Sequence, residues 1–152
     1  MDHPDMFKLD DVTGDRKNDP NIKWVTYTKL NPMTGQTYSG RASGPSSMTA
    51  LEIVQARDLR HKALRDDGYL DADPDEEGVG VKGYAEIRGR EQQLINKFGG
   101  AQSDKVNYPP SGGISGNAIR GVARENRFGL LFDFYATQKF GRIAPYTGKL
   151  PF

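Results

Sequence analysis

Lys23-Trp24-Val25-Thr26-Tyr27-Thr28-Lys29, followed after Asn31-Pro32-Met33-Thr34-Gly35 by Gln36-Thr37-Tyr38-Ser39-Gly40, is the stretch on which the fold turns. Both arms carry β-branched and aromatic residues in rough alternation, and the Pro/Gly segment between them is a turn signal, so the spacing predicts a hairpin with the domain beginning near Ile22. Downstream, Ser47 or Thr49 can cap a helix ending near Arg65, and Gly68 closes it. A second helix is predicted over Tyr84 to Phe98, stopped by Gly99-Gly100 and weakened in the middle by Gly89. A third spans Glu125 to Lys139, with Phe128, Leu131, Phe134 and Tyr135 as its core face, and Val79 to Val81 offers a short third strand. The expected class is therefore α/β (α+β), a small antiparallel sheet of about three strands flanked by three or more helices.

Two of these helices carry polar groups where the apolar stripe should run. Arg57 and His61 sit one turn apart on the side that bears Ala50, Ile53, Val54 and Leu64, and Glu91 interrupts the face of Tyr84, Ile87, Leu94, Ile95 and Phe98. Charged groups turn toward a core only when a partner, a metal or an anion offsets their desolvation, which makes both places candidate active-site positions.

Composition sets the limits. One domain is expected from 152 residues, 36% of them hydrophobic and 27% charged. Eighteen Gly, nine Pro and a mean hydropathy of -0.71 predict long loops between few regular elements. The net charge is +1, but six Asp lie in residues 1 to 20 and six Lys or Arg in residues 117 to 152, so a basic C-terminal third could face an anion. With no Cys, disulfides, thiolate metal sites and cysteine nucleophiles are excluded. Met1-Asp2-His3-Pro4-Asp5 does not resemble a secretory signal, and the run Leu130 to Phe132 is too short to cross a bilayer.

Residues 1 to 21 read as a flexible leader or linker remnant, 22 to 141 as the domain, and 142 to 152 as an irregular tail. Residues 66 to 80 read as a solvated acidic loop. Asp71, Asp73 and Asp75 alternate as calcium-loop ligands do, but Glu76 stands where the turn glycine belongs and Lys82 where the bidentate acid belongs. Ser111 to Gly116 is rich in glycine without the Gly-Lys-Ser/Thr of a phosphate loop, and reads as a linker.

Taken in order, Val25-Thr26-Tyr27, Tyr38-Ser39-Gly40, Arg57-x-x-x-His61, Glu91-Gln92-Gln93-Leu94-Ile95 and Asn117 resemble the motifs of the GIY-YIG nuclease family over residues 24 to about 120. The first motif has Val25 and Thr26 where the family has Gly and Ile, and the second has Ser39 for Ile. A more local likeness, in Tyr38 to Gly44, Ile87 to Ile95 and Gly99-Gly100-Ala101, is to C-terminal toxin domains of bacterial Rhs-type polymorphic toxins. That resemblance implies a secreted effector acting in the target-cell cytoplasm, carried by a larger protein and countered by a cognate immunity protein.

The resemblance assigns Tyr27, Tyr38, Arg57, His61, Glu91 and Asn117 to catalysis, with Glu91 holding Mg²⁺ or Mn²⁺. Hydrolysis of a phosphodiester needs an activated water and charge neutralisation on the phosphate. A guanidinium such as Arg57 supplies paired donors and keeps its proton. Tyr27 and Tyr38 would help with the attacking water, although a pKa of roughly 10 makes tyrosine a poor base, and His61 is the readier acceptor near neutrality. Asn117 would orient the substrate or the glutamate, and Arg41, Arg60, Arg88, Arg90 and Arg120 are candidates for flanking phosphates, of DNA in preference to RNA. Plainer roles exist for each: strand aromatics, a hydrogen-bonded histidine, an Arg57–Glu91 ion pair between helices, an Asn117 N-cap. Two other functions stand beside the nuclease, a non-catalytic nucleic-acid-binding module and a toxin of different chemistry such as an ADP-ribosyltransferase.

Overall fold

The computed structural model describes residues 7–104, 113–144 and 146. Residues 1–6 of the expected leader, most of the expected tail, and Ser111 and Gly112 of the glycine-rich linker fall outside them. Among the described residues no helix is long and apolar enough to cross a membrane.

The hairpin is present and longer than its sequence signal. Strands β1 (Ile22–Leu30) and β2 (Thr37–Pro45) pair antiparallel over their full length, with Tyr27 opposite Gly40 and Lys29 opposite Tyr38. After them come α2 (Ala50–Arg60), α3 (Lys62–Asp66), β3 (Asp73–Val79), α4 (Gly80–Lys97) and α5 (Gly129–Phe140); a short α1 (Asp15–Asn18) precedes them. Strand order is β2-β1-β3, all antiparallel, so the fold is the small α+β arrangement the pattern predicts.

The third strand differs from its expected position. It occupies the acidic stretch Asp73–Val79 rather than residues 79 to 81, pairing with β1 across a bulge between Val25 and Tyr27. Intrinsic preference argues against this strand, and tertiary pairing overrides it. As an edge strand β3 can hold Pro74 beside the bulge and project its carboxylates outward. Thr26, fully buried at the bulge, donates to Asp75 Oδ2 at 2.9 Å and accepts from Glu76 N at 3.1 Å. The calcium-like run is thus part of a ladder. Helix α4 follows at once, four residues earlier than the apolar pattern suggests.

Alternation along the strands sends Val25, Tyr27, Lys29, Tyr38, Gly40 and Ala42 to one face and Trp24, Thr26, Ser39 and Arg41 to the other. On the first face Ile53 and Val54 of α2 pack against Val25, Tyr27 and Ala42. On the second, Tyr84 and Ala85 of α4 join Leu131 and Phe132 of α5, with Trp24 at the margin. Gly89 is what lets α5 approach: a Cβ there would collide with the Phe132 carbonyl. Val12, inside the stretch expected to be a leader, is 2% exposed in this second core, held by apolar contact rather than by chain continuity.

Two helices correct their predicted limits. The segment expected to run to Arg65 as one helix breaks at His61, which has left helical geometry and caps α2 at its C-terminus. Helix α5 begins at Gly129, so Leu131, Phe132 and Ala136 face inward, whereas Phe134, expected in the core, is exposed.

Candidate active site

Helix α2 is fixed first by its own sequence. Thr49 accepts from Glu52 N and Glu52 returns a bond to Thr49 N, a reciprocal cap that sets the start of the helix. A buried ion pair then clamps it to the sheet: Lys29 Nζ meets Asp58 Oδ1 at 2.6 Å, with both side chains almost fully covered, and Asp58 Oδ2 accepts from Ala72 N at 2.8 Å. With Asp58 so placed, Arg57 and His61 are carried over the tyrosine face of the hairpin.

There the four groups meet. The rings of Tyr27 and Tyr38 lie 6.3 Å apart and those of Tyr38 and His61 6.4 Å apart. The Arg57 guanidinium is close enough to both phenols to favour their ionised forms. Gly40 makes room for this, since a Cβ there would meet the Tyr27 hydroxyl. Burial raises the pKa of both phenols above the usual 10, each further raised by charge nearby, including Glu91, and partly offset by Arg57. His61 moves the other way: desolvation first, then Arg57 and Lys29, hold it below 6.5, so it is neutral at pH 7. Its Nδ1 and Arg57 Nε are buried without a hydrogen-bond partner among the described residues.

Glu91 approaches from the opposite face of the sheet. Its partner is Arg41, not Arg57: Arg41 Nη1 donates to Glu91 Oε1 at 2.6 Å. The carboxylate side chain is 9% exposed, and Gly121 lies against it with no side chain to crowd it. One hard oxygen donor group of this kind is of the chemistry that a small divalent cation takes. Among the described residues no cluster of three or more His, Cys, Asp or Glu groups forms a cage, so water and phosphate oxygens would complete its shell. Glu91 would hold the ion in competition with Arg41.

Asn117 is spent on the backbone of β2. Its Nδ2 donates to Ser39 O at 2.7 Å, its Oδ1 accepts from Ser39 N at 2.9 Å, and Gly116 N donates to Thr37 O. Segment 116–117 therefore closes one end of the β2 edge, immediately beside Tyr38. The side chain is not an N-cap; both its amide atoms are held by the Ser39 backbone.

Beyond that closure the edge opens into a cavity of about 220 Å³ lined by Trp24, Arg41, Ala42, Ser43, Arg57 and Arg60. Of the five arginines expected to meet flanking phosphates, Arg41 and Arg60 stand here. The other three are engaged elsewhere. Arg88 lies over the Tyr84 and Phe132 rings and donates to Tyr84 Oη and Gly121 O. Arg90 makes a two-point contact with Asp75, at 2.7 and 3.0 Å, which ties α4 to β3. Arg120 donates to Asp104 at 2.9 Å beside a larger cavity of about 420 Å³ between α4 and α5. That second cavity is set apart from the tyrosines, and its Arg120 and Arg124 share the buried Asp104 carboxylate.

Two participants escaped the sequence reading. Lys29 could have been found by alternation, since it follows Tyr27 on the same face. Tyr69, buried with its ring 6.3 Å from that of Tyr38 and its hydroxyl against Gly116, follows a helix-ending glycine and carried no periodic signal.

No protein-family model, curated protein or solved structure matches this chain.

Proposed function

We propose that the protein is a metal-dependent GIY-YIG-like endonuclease that hydrolyses phosphodiester bonds, of DNA in preference to RNA, and serves as an antibacterial effector domain. The observation that carries this reading is the meeting of Tyr27, Tyr38, Arg57 and His61 on one face of the hairpin, within electrostatic reach of Glu91. Residues so dispersed in the chain gather around a surplus of positive charge suited to a phosphodiester.

Arg57, beside the two phenols, would grip the scissile phosphate through its guanidinium fork. Both phenols keep their protons in this environment, so they position water and phosphate by hydrogen bonding. Neutral His61 is the group able to accept the proton of the attacking water. Mg²⁺ or Mn²⁺ on Glu91, when bound, supplies positive charge that stabilises the phosphate as it becomes pentavalent. Delivery by a larger carrier and inhibition by an acidic immunity protein are part of the same proposal, and rest on the likeness of residues 38–44, 87–95 and 99–101 to Rhs-type toxin domains.

Digestion of plasmid DNA and of RNA with Mg²⁺, by wild type and by Glu91→Ala, tests the reading. Cleavage by the wild type alone supports it. If both proteins bind nucleic acid and leave it intact, the chain is a binding module, a role that the Arg41–Glu91 pair favours because Arg41 occupies the one carboxylate the reaction needs.

A further inference from the structure

The geometry points to an exchange at Arg41: an oxyanion entering the Arg41–Arg57–Arg60 cavity draws Arg41 off Glu91 and so opens the carboxylate to a divalent cation. This deepens the nuclease reading and rests on Glu91 being the metal carboxylate. Arg41 is the one side chain common to both places, since it lines the 220 Å³ cavity and closes on Glu91 Oε1 at 2.6 Å. Arg57 and Arg60 add two guanidiniums to that cavity, and neither makes an ion pair among the described residues. The cavity is thus rich in donors and poor in negative charge, the chemistry of a phosphate or sulfate subsite.

Neither end of the pair is free to leave alone. Glu91, 9% exposed, cannot be stripped of its cation without leaving a desolvated charge. Arg41, 31% exposed, can turn toward the cavity once an anion is present to receive it. Removing Arg41 from Glu91 therefore requires a cation at the carboxylate and an anion in the cavity, and each favours the other. Such coupling is reciprocal: whatever factor the oxyanion adds to cation affinity, the cation adds to oxyanion affinity. Empty of nucleic acid, the domain would hold its metal weakly; on a phosphodiester it would hold both.

The test uses Mn²⁺, followed by the electron paramagnetic resonance of the free ion, with sulfate as the oxyanion probe. Saturating sulfate is expected to tighten Mn²⁺ binding to the wild type by about tenfold, within the usual range of such couplings. Arg41→Gln should bind Mn²⁺ without sulfate about as tightly as the wild type does with it. Arg60→Gln should keep the wild-type affinity in the absence of sulfate and lose most of the sulfate response. If sulfate leaves the wild-type affinity unchanged while Glu91→Gln abolishes Mn²⁺ binding, the exchange is refuted and the metal carboxylate stands. If Glu91→Gln binds Mn²⁺ as the wild type does, the metal reading of Glu91 fails and the exchange falls with it. The wild-type sulfate response decides the matter even if Arg41→Gln does not fold.

Discussion

Arginines on the two sides of the sheet live in different circumstances. On the α4 and α5 side, Arg88 is held by Tyr84, Gly121 O and two aromatic rings, and Arg90 by Asp75. Across the sheet, Arg57 and Arg60 of α2 have no carboxylate partner among the described residues, and Arg57 lies within electrostatic reach of Tyr27. A guanidinium that bridges elements is held from several sides, as Arg88 is through both Nη groups and two rings although its Nε has no acceptor among the described residues, because burial without partners is costly. One whose donors remain in surplus beside a cavity is available to a ligand.

The largest expected effect would break the side on which the ligand groups stand. Lys29→Met leaves Asp58 buried without its cation and should cost about 3–5 kcal/mol in urea unfolding, since α2 loses its clamp on β1. A loss under 1 kcal/mol would mean that α2 is held by Ile53 and Val54 alone. Next, Arg57→Ala should lower DNA cleavage by about 10²- to 10³-fold with little change in the unfolding midpoint, the size expected when one preorganised donor to a developing charge is removed. A large drop in stability with cleavage spared would reverse the contrast and make Arg57 a structural residue.

On the other side the effects should invert. Arg88→Ala removes two hydrogen bonds and its contacts with two rings, and should destabilise by about 2 kcal/mol while nucleic-acid affinity stays near wild type. Loss of affinity without loss of stability would place Arg88 in the interface after all. The smallest effect concerns pH. Because the folded state holds the His61 pKa below 6.5, the unfolded chain takes up a proton first as pH falls. The stability this contributes is complete above about pH 6.5 and is lost as pH drops through the folded-state value. His61→Gln should flatten that part of the stability profile, and, if His61 is the proton acceptor, the acidic limb of the activity profile with it.

How far the sequence reaches is also unequal. The tyrosine hairpin, the Thr49 cap of α2 and the Gly99-Gly100 stop of α4 are written in local signals, and they appear where those signals stand. Strand β3 is not, because an edge strand of carboxylates and proline exists only by virtue of what it pairs with. The candidate site divides likewise. Alternation and helical spacing put Tyr27, Tyr38 and Arg57 on inward faces, but partner choice is decided in three dimensions: Glu91 takes Arg41, and Asn117 takes the Ser39 backbone. The break at His61 went unseen because Arg60-His61-Lys62 contains no residue that stops a helix.

The acidic edge strand bears on direction. Asp73, Asp75, Glu76 and Glu77 lie along one margin of the sheet, and Arg41, Arg57 and Arg60 gather toward the other. On the proposed function, a polyanion would meet a β3 margin where Arg90 pairs with Asp75 and Glu76 and Lys23 pairs with Glu77, and would be drawn instead to the guanidiniums toward β2, so the field would orient it before contact. Added salt would blur that guidance, lowering the rate of encounter more than the rate of any later step.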